Sequence, residues 1–150
     1  MEICGSGLWA HCRWRTGKSD CYAIPAPRLL GQKLGVHCMA IDSDTVWVDG
    51  GTTGIWQLNS GRWKHYDELP ELKLWLKSCL VDHEGGLWFG DVSQGVIRHV
   101  GSRLDRFDRV DGLSGDTVTA IFEDREGNVW TATSVARPPP HPPRVARRSA

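Results

Sequence analysis

No run of apolar residues in this chain approaches the ~18 that a membrane-spanning helix needs. Residues 1–5 show no basic stretch followed by an apolar core, so no secretion signal is visible. The formal net charge is zero, with 18 basic and 18 acidic residues. No overall field therefore attracts nucleic acid or an anionic membrane. These absences predict a chain with neither a membrane span nor a nucleic-acid partner.

Patterns typical of metal and disulfide sites are also missing. The five cysteines are odd in number and include no Cys-x-x-Cys pair, so they predict neither a disulfide framework nor a zinc site and indicate no compartment. None of the six histidines has the His-x-x-x-His spacing of a zinc site. They are His11, His37, His65, His83, His99 and His141. We therefore expect no metal and no cofactor.

The chain does contain a repeat. Residues 80–90 read Leu-Val-Asp-His-Glu-Gly-Gly-Leu-Trp-Phe-Gly, and their Trp88 has counterparts at Trp47, 41 residues earlier (88 − 47), and Trp130, 42 residues later (130 − 88). Each copy reads as a short apolar strand, a turn that begins with Asp, and a second strand that carries Trp. A period of about 40 residues with strand patterns is typical of the blades of a β-propeller.

The turn within the repeat has a simple physical basis. An Asp carboxylate can accept hydrogen bonds from the turn backbone, and a Gly three residues later allows positive φ. Asp82 with Gly85 and Asp124 with Gly127 fit this pattern, whereas the copy at Asp42 is one residue shorter and has no Gly. We predict second strands at 45–49, 86–90 and 128–132, because β-branched and aromatic residues favour strands.

These signals predict an all-β fold, an incomplete β-propeller with four-stranded antiparallel blades of about 41 residues. The division is a degenerate partial blade at 1–38, blades at 39–79 and 80–120, the start of a further blade at 121–134, and a disordered Pro/Arg-rich tail at 135–150. Blades bury their faces against neighbours. The isolated chain is therefore expected to be insoluble or to associate, and to bind no ligand with native affinity.

The repeat resembles that of the two-component regulator propeller family. The matching residues are Asp82, Gly85, Trp88, Gly95-Val96, Phe107-Asp108 and Asp111-Gly112-Leu113-Ser114, then Asp124, Gly127 and Trp130. The resemblance covers about 39–134. Unit 39–79 departs from it, because it has no Gly in its Asp turn and has Glu68-Leu69-Pro70 where Asp-Gly-Leu is expected.

The resemblance implies a fragment of the periplasmic, ligand-sensing propeller of a bacterial histidine kinase or related regulator, and not an enzyme. It implies an unknown small-molecule or carbohydrate ligand for the parent protein, together with the remaining blades and the kinase as partners. The alternative is a fragment of a propeller lyase or hydrolase with an active site at one rim. Ligand-binding residues are not predicted.

Two short motifs invite other interpretations. Thr16-Gly17-Lys18-Ser19 is like the end of a phosphate-binding loop, but Cys12 stands where that motif needs Gly. Asp124, Glu126 and Asn128 are like the start of a calcium loop, but the required Gly is misplaced and no acidic residue ends the loop. We interpret the first as a chance match and the second as a hairpin turn.

Single residues offer weaker candidates. His83 lies in the Asp82 turn, where we expect a solvated side chain at a rim of the propeller, with catalysis as the alternative. Trp47, Trp88 and Trp130 share one repeat position, so we expect them to pack one blade on the next. Trp14, Trp56 and Trp63 have no such repeated role and are the freer candidates for binding a sugar.

Overall fold

The computed structural model describes residues 10–25, 36–67 and 75–134. These residues form twelve strands and a short 3-10 helix at Gly51–Thr53, and none of them lies in an α-helix. No helix in this part of the chain is long and apolar enough to cross a membrane. The strands are β1 Ala10–Arg15, β2 Lys18–Ala23, β3 Met39–Asp42, β4 Thr45–Asp49, β5 Ile55–Asn59, β6 Arg62–His65, β7 Leu76–Val81, β8 Leu87–Asp91, β9 Val96–Val100, β10 Arg103–Phe107, β11 Thr117–Glu123 and β12 Val129–Ser134.

The strands form four antiparallel sheets with sequential neighbours. β3–β6 make one four-stranded sheet, the first blade, and β7–β10 make the second blade. β1–β2 and β11–β12 are two-stranded sheets, and we call the latter the third, half-built blade. β7 contacts both β3 and β11, so the first strands of successive blades lie side by side. This is the predicted four-stranded antiparallel blade, repeated along the chain.

The second strands lie close to their predicted positions. β4 spans Thr45–Asp49 as predicted, whereas β8 begins at Leu87 and β12 at Val129, one residue later than predicted. The alternation of Leu72, Leu74 and Leu76 predicted a strand, but residues 68–74 lie outside the described part and β7 begins at Leu76. The predicted disordered tail at 135–150 also lies outside it.

Two apolar clusters join the blades. Trp47 packs against the cluster between the first and second blades, which is built from Cys38, Ile55, Leu76, Leu87, Phe89 and Ile97. Trp88 belongs to the cluster between the second and third blades, with Val96, Val118 and Val129. The prediction of blade-on-blade packing is therefore confirmed for Trp47 and Trp88. Trp130, in the third blade, is 48% exposed.

The prediction that the cysteines form no disulfide framework was wrong. Cys38 and Cys79 are disulfide-bonded, with Cα atoms 5.6 Å apart. Cys38 immediately precedes β3 and Cys79 lies in β7, so the bond joins the segment that enters the first blade to the first strand of the second blade. The sequence rule failed because it looks for short spacings, whereas these cysteines are 41 residues apart. A repeat brings residues one period apart into contact.

Candidate functional site

The Asp82 carboxylate organises the turn between β7 and β8. It accepts hydrogen bonds from the backbone N–H groups of Glu84 at 3.0 Å and Gly86 at 2.7 Å. It also accepts bonds from Trp88 Nε1 at 2.8 Å and from the Arg98 guanidinium at 2.9 Å. Burial raises the pKa of Asp82, but these hydrogen bonds and the nearby Arg98 charge outweigh burial, so the net pKa is lowered. The ionised carboxylate therefore fixes both the turn and the Trp88 ring.

Asp124 repeats this arrangement in the third blade. Its carboxylate accepts bonds from Trp130 Nε1 at 2.7 Å and from the backbone N–H groups of Glu126 at 3.0 Å and Asn128 at 2.8 Å. The Trp130 bond is the main cause that lowers the pKa of Asp124 to about 2. The residues of the candidate calcium loop therefore form a hairpin turn, as interpreted, and protein donors occupy the Asp124 carboxylate.

The shorter turn at Asp42 does not reproduce the bond to tryptophan. Ser43 adopts a φ of 48° there, and its hydroxyl donates to Asp42 at 3.2 Å. Among the described residues, Trp47 Nε1 is buried without a hydrogen-bond partner. The Trp47 ring instead meets Tyr66 edge-on, with centroids 5.0 Å apart. Loss of one residue from the turn thus removes a buried hydrogen bond from the first blade.

The second and third blades are also in contact on the side of the sheets where the Asp82 and Asp124 turns lie. The His83 backbone N–H donates to Glu123 Oε2 at 2.8 Å, and His83 Nδ1 donates to Glu123 Oε1. The Glu123 side chain is 12% exposed and the His83 side chain 57% exposed. A Cβ at Gly127 would come within 2.9 Å of His83 Cε1, so the third blade's turn lies against the imidazole. His83 is solvated at a rim, as predicted, but it is also bound to the next blade.

The His83–Glu123 pair can hold a proton or bind a polar group. A carboxylate that holds Nδ1 of an imidazole fixes the tautomer and leaves Nε2 for hydrogen bonding or proton transfer. Glu123 uses both oxygens to bind His83, which makes the pair a structural link as well. No group of three or more His, Cys, Asp and Glu side chains that could hold a metal ion occurs in the described residues.

The remaining described histidines lie elsewhere. His37 Nδ1 is 3.1 Å from Asp49 Oδ2, and His65 contacts Asp67 and the Thr53 carbonyl oxygen. These groups cluster where β4 ends and β5 begins, at the face opposite the Asp turns. His99 is buried, and its Nδ1 is 2.9 Å from the Tyr66 hydroxyl. The structure therefore brings none of them to His83.

The candidate sugar-binding tryptophans, Trp14, Trp56 and Trp63, are not fully exposed where their side chains are described. Trp56 Nε1 donates to the Thr53 carbonyl at 3.1 Å, and its ring meets His65 edge-on. Trp63 is half-buried, and Trp14 lies where only the backbone is described. Trp75, which sequence reasoning did not single out, is 68% exposed. Little in the sequence indicated this exposure, because Trp75 lies between Leu74 and Leu76 in an apolar stretch.

The structure also corrects or extends other candidates. Thr16 and Gly17 form the two-residue turn between β1 and β2 and lead into no helix, which agrees with a chance match to the phosphate-binding loop. Glu123 was missed altogether, since it precedes Asp124 and reads as part of the turn. The repeat spacing could have indicated Glu123, because the residue that ends the first strand of one blade lies beside the Asp turn of the preceding blade.

Comparison with known proteins bears on the repeat itself. Residues 112–134 match the two-component regulator propeller family. This segment contains Asp124, Gly127 and Trp130, on which the predicted resemblance partly rests. No curated protein sequence matches the chain.

Solved structures extend the likeness over most of the chain. The extracellular domain of the hybrid two-component system BT4673 from B. thetaiotaomicron is 24% identical, with a TM-score of 0.62 over 81% of this chain. A second structure of the BT4673 extracellular domain, described as a one-component system, is 23% identical, with a TM-score of 0.62 over the same share. Virginiamycin B lyase from Staphylococcus aureus is 18% identical, with a TM-score of 0.51 over 69% of the chain.

These comparisons confirm the predicted resemblance and the propeller fold. The chain spans 17% of the length of each BT4673 structure and 36% of that of the lyase. The aligned part of the chain therefore corresponds to a few blades of each of these larger β-propellers, and two of the described sheets have only two strands.

Proposed function

We propose that the chain is part of the ligand-sensing propeller of a two-component regulator, placed outside the cytoplasm, and that it is not an enzyme. The observation that carries the proposal is the Asp–Trp turn cassette. It recurs at Asp82 with Trp88 and at Asp124 with Trp130, and the second copy lies inside the segment that matches the regulator propeller family. The likeness to the BT4673 extracellular domain supports the same reading.

The ligand of the parent protein is a small molecule or a carbohydrate. The His83 imidazole at the rim suits hydrogen bonding to a polar ligand. The His83–Glu123 pair contains one residue from the second blade and one from the third. The affinity for a ligand bound across two blades would depend on the relative position of those blades. The remaining blades and a kinase are the partners through which such a signal would pass.

The coding sequence on either side of this chain tests the proposal. We expect further repeats with Asp–Trp turns, a membrane-spanning segment and a histidine-kinase core in the same reading frame. A single closed propeller followed by a stop, without a membrane span or a kinase core, would contradict the proposal.

A lyase or hydrolase active at this rim is the alternative. The His83–Glu123 pair and the fold shared with virginiamycin B lyase favour it. The test incubates the chain with virginiamycin B and follows the compound by mass spectrometry. We expect no turnover. Turnover that Glu123→Gln abolishes, and that Asp67→Asn beside His65 leaves intact, would establish the alternative instead.

A further inference from the structure

His65, the last residue of β6, has a hydrogen-bond acceptor at each nitrogen of its ring. Its Nδ1 contacts the Asp67 carboxylate, and its Nε2 lies 2.8 Å from the Thr53 carbonyl oxygen. A neutral imidazole carries one N–H group and can donate to one of these acceptors, whereas the imidazolium ion donates to both. The two contacts are therefore satisfied together only when His65 is protonated.

The Thr53 carbonyl belongs to the connection between β4 and β5, residues 50–54, which we call the β4–β5 loop. Within it the Thr53 N–H donates to the Gly50 carbonyl at 3.3 Å. A Cβ atom at Gly54 would lie 2.8 Å from His65 Nε2, so the imidazole rests directly on the loop. The protonation state of His65 therefore acts on a backbone segment at the face opposite the Asp turns.

The second blade has a permanent cation at the same repeat position. Arg106 follows His65 by 41 residues (106 − 65), and Gln94 follows Thr53 by the same number (94 − 53). Arg106 Nη1 donates to Gln94 Oε1 at 2.9 Å. In each blade a side chain of the fourth strand thus donates to the loop between the second and third strands.

The strand register supports this equivalence. His65 is opposite Trp56, and Arg106 is opposite Ile97, which follows Trp56 by 41 residues (97 − 56). Arg106 is exposed although the first blade packs against the second. A preceding blade therefore leaves this position at the rim in contact with solvent, and we expect the same for His65.

Asp67 is the charged group that acts directly on the imidazole. Its hydrogen bond to His65 is the main cause that raises the pKa of His65. Burial lowers this pKa, whereas the bond to the Thr53 carbonyl and the Asp67 charge raise it further. Geometry and electrostatics thus both favour the imidazolium ion.

The other groups around His65 are uncharged or engaged elsewhere. β5 contributes the Trp56 ring, which meets the imidazole edge-on. At the start of the β4–β5 loop the Asp49 carboxylate is bound by the Gly51 N–H and by His37. Lys64 lies on the opposite face of the sheet, because successive side chains of a strand alternate.

Loss of one proton breaks the contact with the loop. The bond from Nδ1 to a carboxylate is charge-assisted and stronger than the bond from Nε2 to a carbonyl, so the proton leaves from Nε2 to solvent. The Nε2 lone pair then faces the Thr53 carbonyl oxygen, and the two repel each other. Trp56 Nε1 still donates to this oxygen at 3.1 Å, so the loop loosens without unfolding.

We propose that His65 is a pH-sensitive link between β6 and the β4–β5 loop, closed in the imidazolium form and open in the neutral form. Because the folded pKa of His65 is raised, the link is complete below the ordinary value of about 6.5 and is lost as the pH rises through the folded pKa. Arg106 stays charged throughout, so the corresponding link of the second blade does not depend on pH.

Deuterium exchange at the Cε1 atom of each histidine, followed by mass spectrometry, tests the protonation of His65 in the full chain, associated or not. Trypsin releases residues 65–73, in which His65 is the single histidine. We expect the titration midpoint of His65 to lie above about 6.5, the ordinary value. Asp67→Asn is expected to lower it, whereas Asp44→Asn, at an exposed aspartate in the turn between β3 and β4, is the matched control and leaves it unchanged.

Backbone hydrogen exchange, corrected for the intrinsic rate at each pH, tests the loop itself. We expect the β4–β5 loop to lose protection as the pH rises through the His65 midpoint, while residues 91–95 of the second blade keep theirs. His65→Arg introduces a permanent cation and is expected to keep the loop protected at high pH. His65→Phe has no donor and is expected to leave the loop less protected at every pH.

Several results would overturn the proposal. They are a His65 midpoint at or below its ordinary value, equal protection of the β4–β5 loop on both sides of that midpoint, and an unchanged pH dependence in His65→Arg. An equal loss of protection in both loops would assign the effect to the whole array and would also overturn it. The unsubstituted chain supplies the midpoint and the comparison of the two loops, so the test does not depend on the folding of a variant.

Discussion

The three repeated tryptophans differ in what their indole N–H groups contact. Trp88 Nε1 donates to a buried carboxylate, Trp130 Nε1 to an exposed one, and Trp47 Nε1 to no group in the described part of the chain. A hydrogen bond to a charged group contributes about 1.5–3 kcal/mol, whereas a buried donor left unpaired costs about 1–3 kcal/mol. The length of the preceding turn thus decides whether the indole N–H of the tryptophan stabilises or destabilises the fold.

Replacing Trp88 and Trp47 by phenylalanine separates this bond from packing. Both changes remove similar volume from an interface between blades, but only Trp88→Phe removes a hydrogen bond to Asp82. We expect Trp88→Phe to lower the free energy of unfolding by about 2.5–6 kcal/mol more than Trp47→Phe, because the first change removes a favourable bond and the second removes an unpaired donor. Urea unfolding followed by far-UV circular dichroism measures the difference. Equal losses in the two variants would show that the Asp82 bond does not stabilise the fold.

The Asp124 turn predicts a loss of stability in acid. Its folded pKa of about 2 lies below the usual 3.8, so the fold favours the ionised carboxylate. The stabilisation is present above about pH 4 and is lost as the pH falls through 2. We expect Asp124→Asn to flatten the fall of the unfolding midpoint between pH 4 and pH 2, measured by urea unfolding at each pH.

Asp49→Asn is the contrasting variant when the same urea unfolding measurements are extended above pH 4. Burial raises the pKa of Asp49, although Gly51 and His37 oppose this. The contribution of Asp49 is therefore present at low pH and lost as the pH rises through its folded pKa. Asp49→Asn is expected to act with the opposite sign to Asp124→Asn. If both variants change the profile in the same direction, the assignment of the two carboxylates is wrong.

Among the elements, the first strands carry the links between blades. The Cys38–Cys79 disulfide joins the start of the first blade to β7, and Glu123 at the end of β11 binds the turn that follows β7. Disulfides persist in oxidising compartments, so this bond supports the location outside the cytoplasm that we propose. One covalent link and one polar link thus hold β7 to its two neighbours.

The disulfide predicts a measurable stability difference. It closes a loop of 41 residues, for which the chain-entropy model gives about 3–4.5 kcal/mol. We expect Cys38→Ser and Cys79→Ser each to lower the free energy of unfolding by up to this amount. The double variant should lose about as much as either single variant, because the bond is already absent. Additive losses would mean that the two cysteines act separately.

The whole described array has open faces at its third blade, and this governs its behaviour in isolation. If the uncovered face exposes on the order of 500 Å² of apolar surface, the hydrophobic stabilisation lost is roughly 12 kcal/mol at ~25 cal/mol per Å². That is comparable with the ~5–15 kcal/mol stability of a whole domain. Phe122 and Trp130 are the large apolar side chains at this face. Association through it is therefore the expected state of the chain.

The repeat made much of the fold predictable. The spacing of Trp47, Trp88 and Trp130 and the Asp turns gave the second strands to within two residues, because turn chemistry and strand alternation are local properties. The blade-facing role of Trp47 and Trp88 followed from their shared repeat position, whereas Trp130 at the same position is 48% exposed.

The contacts between repeats were not predictable in the same way. The Cys38–Cys79 bond, the His83–Glu123 pair and the unpartnered Trp47 Nε1 each depend on how one blade lies against the next. Strand pairing within a blade is fixed by residues near in sequence. The distance between side chains about 40 residues apart is fixed by the packing of whole sheets, which the local pattern does not encode.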